Sequence, residues 1–329
     1  MKKILLLLLC LPFFDASAQV LRKRTTKLMG SRWHITIVAK DSASAERNID
    51  TVIAEVTRIE NLISDWKAET QISQVNSNAG IRPVKVDREV FDLTKRALAL
   101  SVSTGGAFDI SFAAMDRIWK FDGSMSVMPA DSTIKRSVSK VGFKNIILDS
   151  IKSTIFLRLK GMKIGFGALG EGYAADRTRR MMIARGIKAG IVDGSGDMST
   201  WGRQTNGMNW TIGVTNPLQP DTIMAVVQLK DKSVVTSGSY EKFVMFDGKR
   251  YSHIINPKTG YPATGLTSVT VFGPSAEAAN GYSTSMMVLG KTAAIAFINK
   301  SPAYHYIIIT DEGDILSSPE LKIGKRKLP

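Results

Sequence analysis

Apolar and polar positions alternate over residues 33–39, WHITIVA, and the β-branched content of that run predicts a strand. The period then changes. Ile49, Val52, Ile53, Val56, Ile59, Leu62 and Ile63 recur at three- and four-residue steps, which marks one buried helical face, and Asp41 and Ser42 stand where an N-cap belongs. Val90, Leu93, Ala97 and Leu100 mark a second helix over 87–102, closed by Gly105-Gly106. Further strands are expected near 145–148, 154–157, 210–215, 224–229, 268–272 and 306–310, with helices near 276–288 and 292–299. Between them the glycine-rich stretch GFGALGEGYAADRTRRMM should pass from an irregular loop into a helix at about Glu171. Strands and helices mix without a regular βαβα rhythm. That order predicts an α+β fold with mainly antiparallel sheets and packed helices, not a doubly wound one.

Composition agrees with a packed globular chain. Of 329 residues 44% are hydrophobic and 22% charged, with mean hydropathy near zero, which excludes long disorder. Twenty-seven glycines without a three-residue period and a single cysteine exclude collagen-like and disulfide-scaffold classes. No internal repeat or Pro/Ser-rich linker divides the chain, so one unit over residues 19–329 is expected, compact or of two coupled lobes with a cleft between them.

The first eighteen residues read differently. Lys2 and Lys3 precede an apolar run of about eleven residues, too short to span a bilayer, and Ala16-Ser17-Ala18 offers a small-x-small cleavage site. Residues 1–18 are expected to be an export signal, which places the mature protein in a periplasm, soluble or loosely associated with the outer face of the inner membrane. A lipid anchor at Cys10 is the weaker alternative, because Leu9 is large where a lipobox wants a small residue. Removing Lys2, Lys3 and Asp15 lowers the formal charge of +15 by one and leaves no thiol for disulfides or thiolate chemistry. The basic residues form no patch interleaved with aromatics, so no nucleic-acid partner is expected, and the basic run at 322–327 reads as a solvated tail.

Four segments combine glycine with polar residues: GGAFDIS at 105–111, GFGALGEGYAAD at 165–176, DGSGD at 193–197, and TSGSYEK with SHIINPKTGYP between Thr236 and Pro262. Any one of them alone is more often a plain turn, and the Gly165-Gly167-Gly170 spacing lacks the context of a dinucleotide fingerprint. A helix start at about Glu171 would nonetheless present free N–H donors and a positive dipole end to an anion. His34 and His305 read as strand residues. His253 lies in a dense polar set with Asn256, Lys258 and Thr259, where an imidazole could bind phosphate or move a proton. Asn280 and Thr284 are four apart on one helix and share a face, so their oxygens could hold a hard cation or merely meet water.

Taken in order, these segments resemble the ApbE family of FAD:protein FMN transferases. The resemblance starts at MGSRWHITI (Met29) and runs through ISDWKAETQISQVN, GGAFDIS with Trp119 beyond it, GALGEGYAAD, the GSGD turn, TSGSYEK and HIINPKTGYP to AEAANGYSTSMMVLG. It implies two α+β lobes flanking a flavin cleft, and Mg²⁺-dependent transfer of FMN from FAD, the substrate, to a threonine hydroxyl of target flavoproteins with release of AMP. The acceptors it implies are flavoproteins with an exposed threonine, expected among membrane redox subunits. It further implies a metal site of the Ala168 carbonyl with Asn280 and Thr284, and flavin-side contacts from Met29, Trp66, Asp109 and Tyr173. Asp176 would line the adenosine end, Thr236, Ser237 and Gly238 would follow the central strand as a loop, and His253 would act near the phosphate.

Three positions depart from the family pattern. Asn280 stands where aspartate is usual, Glu171 where lysine is usual, and Ser195-Gly196 where Gly-Gly is usual. Asparagine still offers a carbonyl oxygen but gives up a negative charge, which Glu171 could supply as a catalytic-site carboxylate. The alternatives to transfer are a FAD-binding carrier of the same fold with weak or no activity, and an FAD pyrophosphatase that uses water in place of threonine.

Overall fold

The computed structural model describes residues 19–217, 219–240, 242–322 and 324. The expected export signal and Cys10 lie outside the described residues. Two strands open the chain, β1 (Val20–Leu28) and β2 (Ser31–Ala39), followed by α1 (Ser42–Ile63), α2 (Gln71–Ser77), β3 (Val84–Lys85) and α3 (Arg88–Ser103). Next come α4 (Asp131–Ser137), β4 (Ile146–Asp149), β5 (Thr154–Leu157) and α5 (Gly170–Ala184). The second half runs β6 (Ala189–Gly194), β7 (Asp197–Trp201), β8 (Trp210–Asn216), β9 (Gln219–Leu229), β10 (Ser233–Gly238), β11 (Phe243–Phe246), β12 (Lys249–Ser252) and β13 (Leu266–Gly273). It ends with α6 (Ala276–Leu289), α7 (Lys291–Ile298), β14 (His305–Thr310) and β15 (Ile315–Ser317).

Eight strands form one sheet in the order β1-β2-β6-β7-β10-β13-β14-β15, and every pairing in it is antiparallel. The expected α+β class is therefore the observed one. Helices α1, α5, α6 and α7 cover this sheet. Their apolar stripes explain why. On α1 the buried residues Ile49, Val52, Val56, Ile59 and Ile63 keep the helical period, and each such side chain contributes up to about 1.5–3 kcal/mol by leaving water. The predicted N-cap is in place, with Asp41 Oδ1 accepting from the Ser44 N–H at 2.6 Å.

The other face of the sheet is covered by the β8–β9 ribbon. Val214, Ala225, Val227 and Leu229 pack there against Val234, Phe272 and Ile307, while the neighbouring Val235 and Val271 point into the main core. This is the two-residue alternation of a strand buried on both sides. The basic start is strand β1, with Arg22, Lys23, Arg24 and Lys27 along the open edge of the sheet, where charge discourages pairing with another chain. One expectation is corrected here. Thr236, Ser237 and Gly238 belong to β10 itself and pair with Thr270, Val269 and Ser268 of β13, so they are strand rather than loop.

Candidate functional site

Where the polar end of β10 meets the starts of α5 and α6, the packing leaves a cleft of about 710 Å³. Gly167, Ala168 and Glu171 line one wall, Asn280 and Thr284 another, and Ile212, Gly213 and Thr215 of β8 a third. Trp66, Asp109 and His253 close the remaining side. Four of the glycine-rich segments singled out in the sequence thus meet at one cavity, which is the default place for a ligand.

The first wall is the beginning of α5. Leu169 occupies its N-cap without a side-chain bond to the first turn, and the Leu169 and Gly170 N–H groups donate back to the Phe166 carbonyl at 3.0 and 2.6 Å. Gly172 is required by packing, because a Cβ there would stand 2.6 Å from the Ala276 carbonyl oxygen of α6. Gly167 has nothing within 4 Å in the direction of a Cβ and opens onto the cleft.

Carboxylates cluster beside this helix start. Glu171 accepts from the Ser31 hydroxyl at 2.5 Å, and burial raises its pKa, with the nearby Asp193 adding to the shift. Burial likewise pushes Asp197 well above the usual carboxylate range, helped by Glu171 and Asp193, while hydrogen bonds from Asn280 and the Gly172 N–H act the other way. Asp197 is placed by a tight turn in which Ser195 (φ 52°) and Gly196 (φ 100°) both adopt positive φ, and Asp193 Oδ1 accepts from the Gly196 N–H at 2.9 Å. No positive group offsets either Glu171 or Asp197 among the described residues.

On α6, Asn280 and Thr284 face the cleft together, as their spacing predicts. Asn280 Nδ2 donates to Asp197 Oδ2, and Asn280 Oδ1 lies 3.5 Å from Thr284 Oγ1. Thr284 Oγ1 also lies 3.3 Å from Ser237 Oγ, which in turn lies 2.8 Å from Ser283 Oγ. No group of three His, Cys, Asp or Glu side chains suited to a metal occurs among the described residues. The groups that line this part of the cleft are the Asn280 carboxamide and the Thr284 hydroxyl, with the Ala168 backbone on the facing wall and buried carboxylates beside them. That is a hard-oxygen set, and it fits a small divalent cation shared with a phosphate rather than a dedicated cage.

The flavin side is more mixed. Trp66 is 74% exposed at the rim, with the Arg117 guanidinium 4.3 Å from its ring centre, and is the large aromatic surface of the cleft mouth. Asp109 lines the cleft but is committed within its own loop: it accepts from the Ser111 N–H and hydroxyl and from the Phe143 N–H. Burial raises its pKa despite these three bonds. His253 lines the cleft, with Nδ1 3.1 Å from the Lys242 carbonyl. A carbonyl only accepts, so Nδ1 carries the hydrogen, and in the neutral ring Nε2 is the basic nitrogen.

Three residues carried over as ligand contacts do not line the cleft. The Tyr173 hydroxyl is directed to Glu89, at 2.6 Å. Asp176 is buried and accepts from Ser199, Ser275 and the Glu277 N–H, joining α5 to β7 and α6. Met29 packs against Gly170, and its N–H donates to Glu60 at 3.0 Å. Each is a polar or flexible residue within a few positions of the cleft whose bonding partners draw it into the core.

Sequence reasoning also missed residues. Asp65 lines the cleft next to Trp66, and its carboxylate meets Gly165, where a Cβ would come within 3.0 Å of Oδ2. Ser31 and Asp197 enter through partners 140 and 83 residues away, pairings that no local pattern announces. Ile212 to Thr215 carry only the alternation of an ordinary strand.

Comparison with known proteins agrees with this geometry. The profile of the ApbE family matches residues 29–308. Two proteins of Klebsiella pneumoniae named FAD:protein FMN transferase are 31% and 30% identical to this chain, covering 89% and 87% of it and 90% and 83% of their own lengths. The crystal structure of the ApbE protein from Thermotoga maritima superposes with a TM-score of 0.82 at 27% identity, over 91% of this chain and 97% of that one. The flavin transferase ApbE from Vibrio cholerae, at 23% identity, shares the fold with a TM-score of 0.80, over 92% and 98% of the two chains. With the family profile spanning most of its length, the chain belongs to the ApbE family.

Proposed function

We propose that this protein is an FAD:protein FMN transferase that uses Mg²⁺ to move FMN from FAD to a threonine hydroxyl of an acceptor flavoprotein, releasing AMP. One observation carries the reading: the start of α5, the Asn280/Thr284 face of α6, His253 and the exposed Trp66 all line a single cleft. The names of the relatives point the same way.

In this reaction the threonine oxygen forms a bond to the phosphorus on the FMN side. The anhydride bond to the AMP phosphate breaks, and AMP leaves with the electron pair. The positive dipole end of α5 would stabilise charge on the diphosphate, and Trp66 offers a face on which the isoalloxazine can stack. His253, with its basic nitrogen at Nε2, is the group positioned to take the threonine proton. Mg²⁺, held by the Ala168 carbonyl, Asn280 and Thr284, would neutralise diphosphate charge. Glu171 and Asp197 stand beside Asn280 in this wall as further oxygen-bearing groups, with burial raising the pKa of both.

The signal-like pattern of residues 1–18 supports export to a periplasm, where the acceptors would be flavoproteins presenting an exposed threonine, such as membrane redox subunits. Incubating the mature protein with FAD, Mg²⁺ and a threonine-bearing acceptor domain tests the activity. Acceptor that gains the mass of FMN is the expected result. Free FMN with AMP would instead identify a pyrophosphatase, and intact bound FAD a carrier.

A further inference from the structure

Trp66 lies shortly after the end of α1, in a turn whose backbone is held. Ser64 Oγ accepts from the Trp66 N–H at 3.2 Å, and Lys67 forms an ion pair with Glu60 at 2.8 Å. The indole itself is 74% exposed, so burial does not fix its side-chain angles. The charged group that meets it is Arg117, whose guanidinium carbon lies 4.3 Å from the ring centre. At that distance a guanidinium over an indole is attracted by the ring's quadrupole. Arg117 enters no ion pair among the described residues, so no carboxylate draws it away from the ring.

The segment that carries Arg117 is anchored on both sides. The Asp116 N–H donates to the Ser137 carbonyl at 3.1 Å, and the buried Trp119 donates from Nε1 to the Gly260 carbonyl at 2.9 Å. A solvent-exposed indole is thereby met by a cation on a fixed base. Trp66 lines the cleft, and Arg117 is not among the lining residues. We infer that Arg117 is a positioning residue for the flavin: its guanidinium holds the Trp66 indole from the side away from the cleft, so that the opposite ring face is presented to the isoalloxazine. The inference rests on the reading of Trp66 as the flavin's stacking surface. An indole held in advance loses less rotamer freedom when a planar ligand stacks on it, and that saving appears as affinity.

The alternatives are that Arg117 bonds the bound dinucleotide directly, or that it only decorates the rim. FAD affinity of the mature protein, measured by titration calorimetry without acceptor, separates them in a double-mutant cycle. Arg117→Met keeps the reach of the side chain and removes the charge. It should weaken FAD about two- to fivefold, the size of an exposed cation–π contact, and leave the melting temperature within about 2 °C. In the transfer assay that loss should fall on KM for FAD, with kcat within about twofold. Trp66→Leu removes the ring but leaves an apolar contact, and in that background Arg117→Met should change FAD affinity by less than about 1.5-fold. Unchanged FAD affinity in Arg117→Met overturns the inference. A loss that persists in the Trp66→Leu background also overturns it, because the guanidinium then acts on the ligand itself, and so does a loss confined to kcat. Should Arg117→Met fail to fold, Arg117→Gln takes its place in the cycle. If Trp66→Leu alone leaves FAD affinity unchanged, the placement of the flavin on Trp66 fails and the inference with it. Loss of affinity in Trp66→Leu without loss in Arg117→Met overturns the inference alone, whereas the transfer reading stands or falls separately on FMN mass appearing on the acceptor.

Discussion

The Tyr173 hydroxyl donates to Glu89 Oε1 at 2.6 Å, which ties α5 to α3 and takes the phenol out of the cleft lining. Arg58 of α1 completes the group, its guanidinium donating to both Glu89 oxygens and to Glu55. Burial alone would raise the Glu89 pKa, but the bonds from Arg58 and Tyr173 outweigh it, and the carboxyl lies below its ordinary 4.5. Arg58 is partly exposed, so solvent screening keeps the contribution modest.

A carboxyl with a lowered folded pKa stabilises the protein above its unfolded pKa, and that contribution is lost as pH falls through the folded value. Glu89→Gln should therefore cost about 1–2 kcal/mol in urea unfolding at pH 7 and progressively less toward pH 3. Tyr173→Phe should cost about 1 kcal/mol while leaving FAD affinity within about twofold, measured by flavin fluorescence. A large loss of FAD affinity would return Tyr173 to the ligand.

Gly167 offers the opposite test. Nothing stands within 4 Å of the space a Cβ would fill, and its φ is not in the left-handed region, so a side chain can be added without strain. It would project into the cleft. Gly167→Val should leave the melting temperature within about 2 °C. FAD affinity should fall at least about tenfold, a cost of about 1.4 kcal/mol.

His253 is expected to act on the proton and not on ligand affinity. His253→Ala should slow FMN transfer to the acceptor by about 10²–10⁴-fold while FAD affinity changes only a few-fold. Initial rates from intact-mass time courses, beside equilibrium FAD titration, give both numbers. A rate loss matched by an equal affinity loss would make His253 a binding residue only.

Ser195 sits at φ 52°, a conformation that costs a non-glycine residue about 1–2 kcal/mol. Ser195→Gly relieves that strain but adds about 0.4–1 kcal/mol of unfolded-chain entropy. The net expectation is a gain of between zero and about 1.5 kcal/mol in thermal or urea unfolding. Destabilisation would show that the serine makes a compensating interaction in this turn.

How much of this was readable in the chain follows from the range of each interaction. Strand β2 and helices α1, α3 and α6 announce themselves through apolar periodicity, because burial acts on every second or every third to fourth residue. Strand β1 does not, since its Arg and Lys side chains face solvent along the sheet edge. The TSG end of β10 reads as a loop because its hydroxyls bond Thr270 and Ser283 where apolar residues would normally pack. In the cleft, Asn280 and Thr284 are legible from their four-residue spacing, while Ala168 enters only through the family resemblance. Asp197 was visible only as a turn residue, because its partner Asn280 is 83 positions away and a single contact leaves no period. Asp176 misled for the converse reason: a polar side chain in a glycine-rich motif resembles a ligand contact until its serine partners on β7 and before α6 are seen.

The account depends above all on where the dinucleotide diphosphate lies. A crystal structure of the protein with FAD and Mg²⁺ measures this directly. The expected result places both phosphates at the Gly167–Glu171 helix start, with the cation touching Asn280 Oδ1 and Thr284 Oγ1 and the isoalloxazine against Trp66. FAD bound elsewhere, or bound here with its phosphates turned away from that helix start, would contradict it.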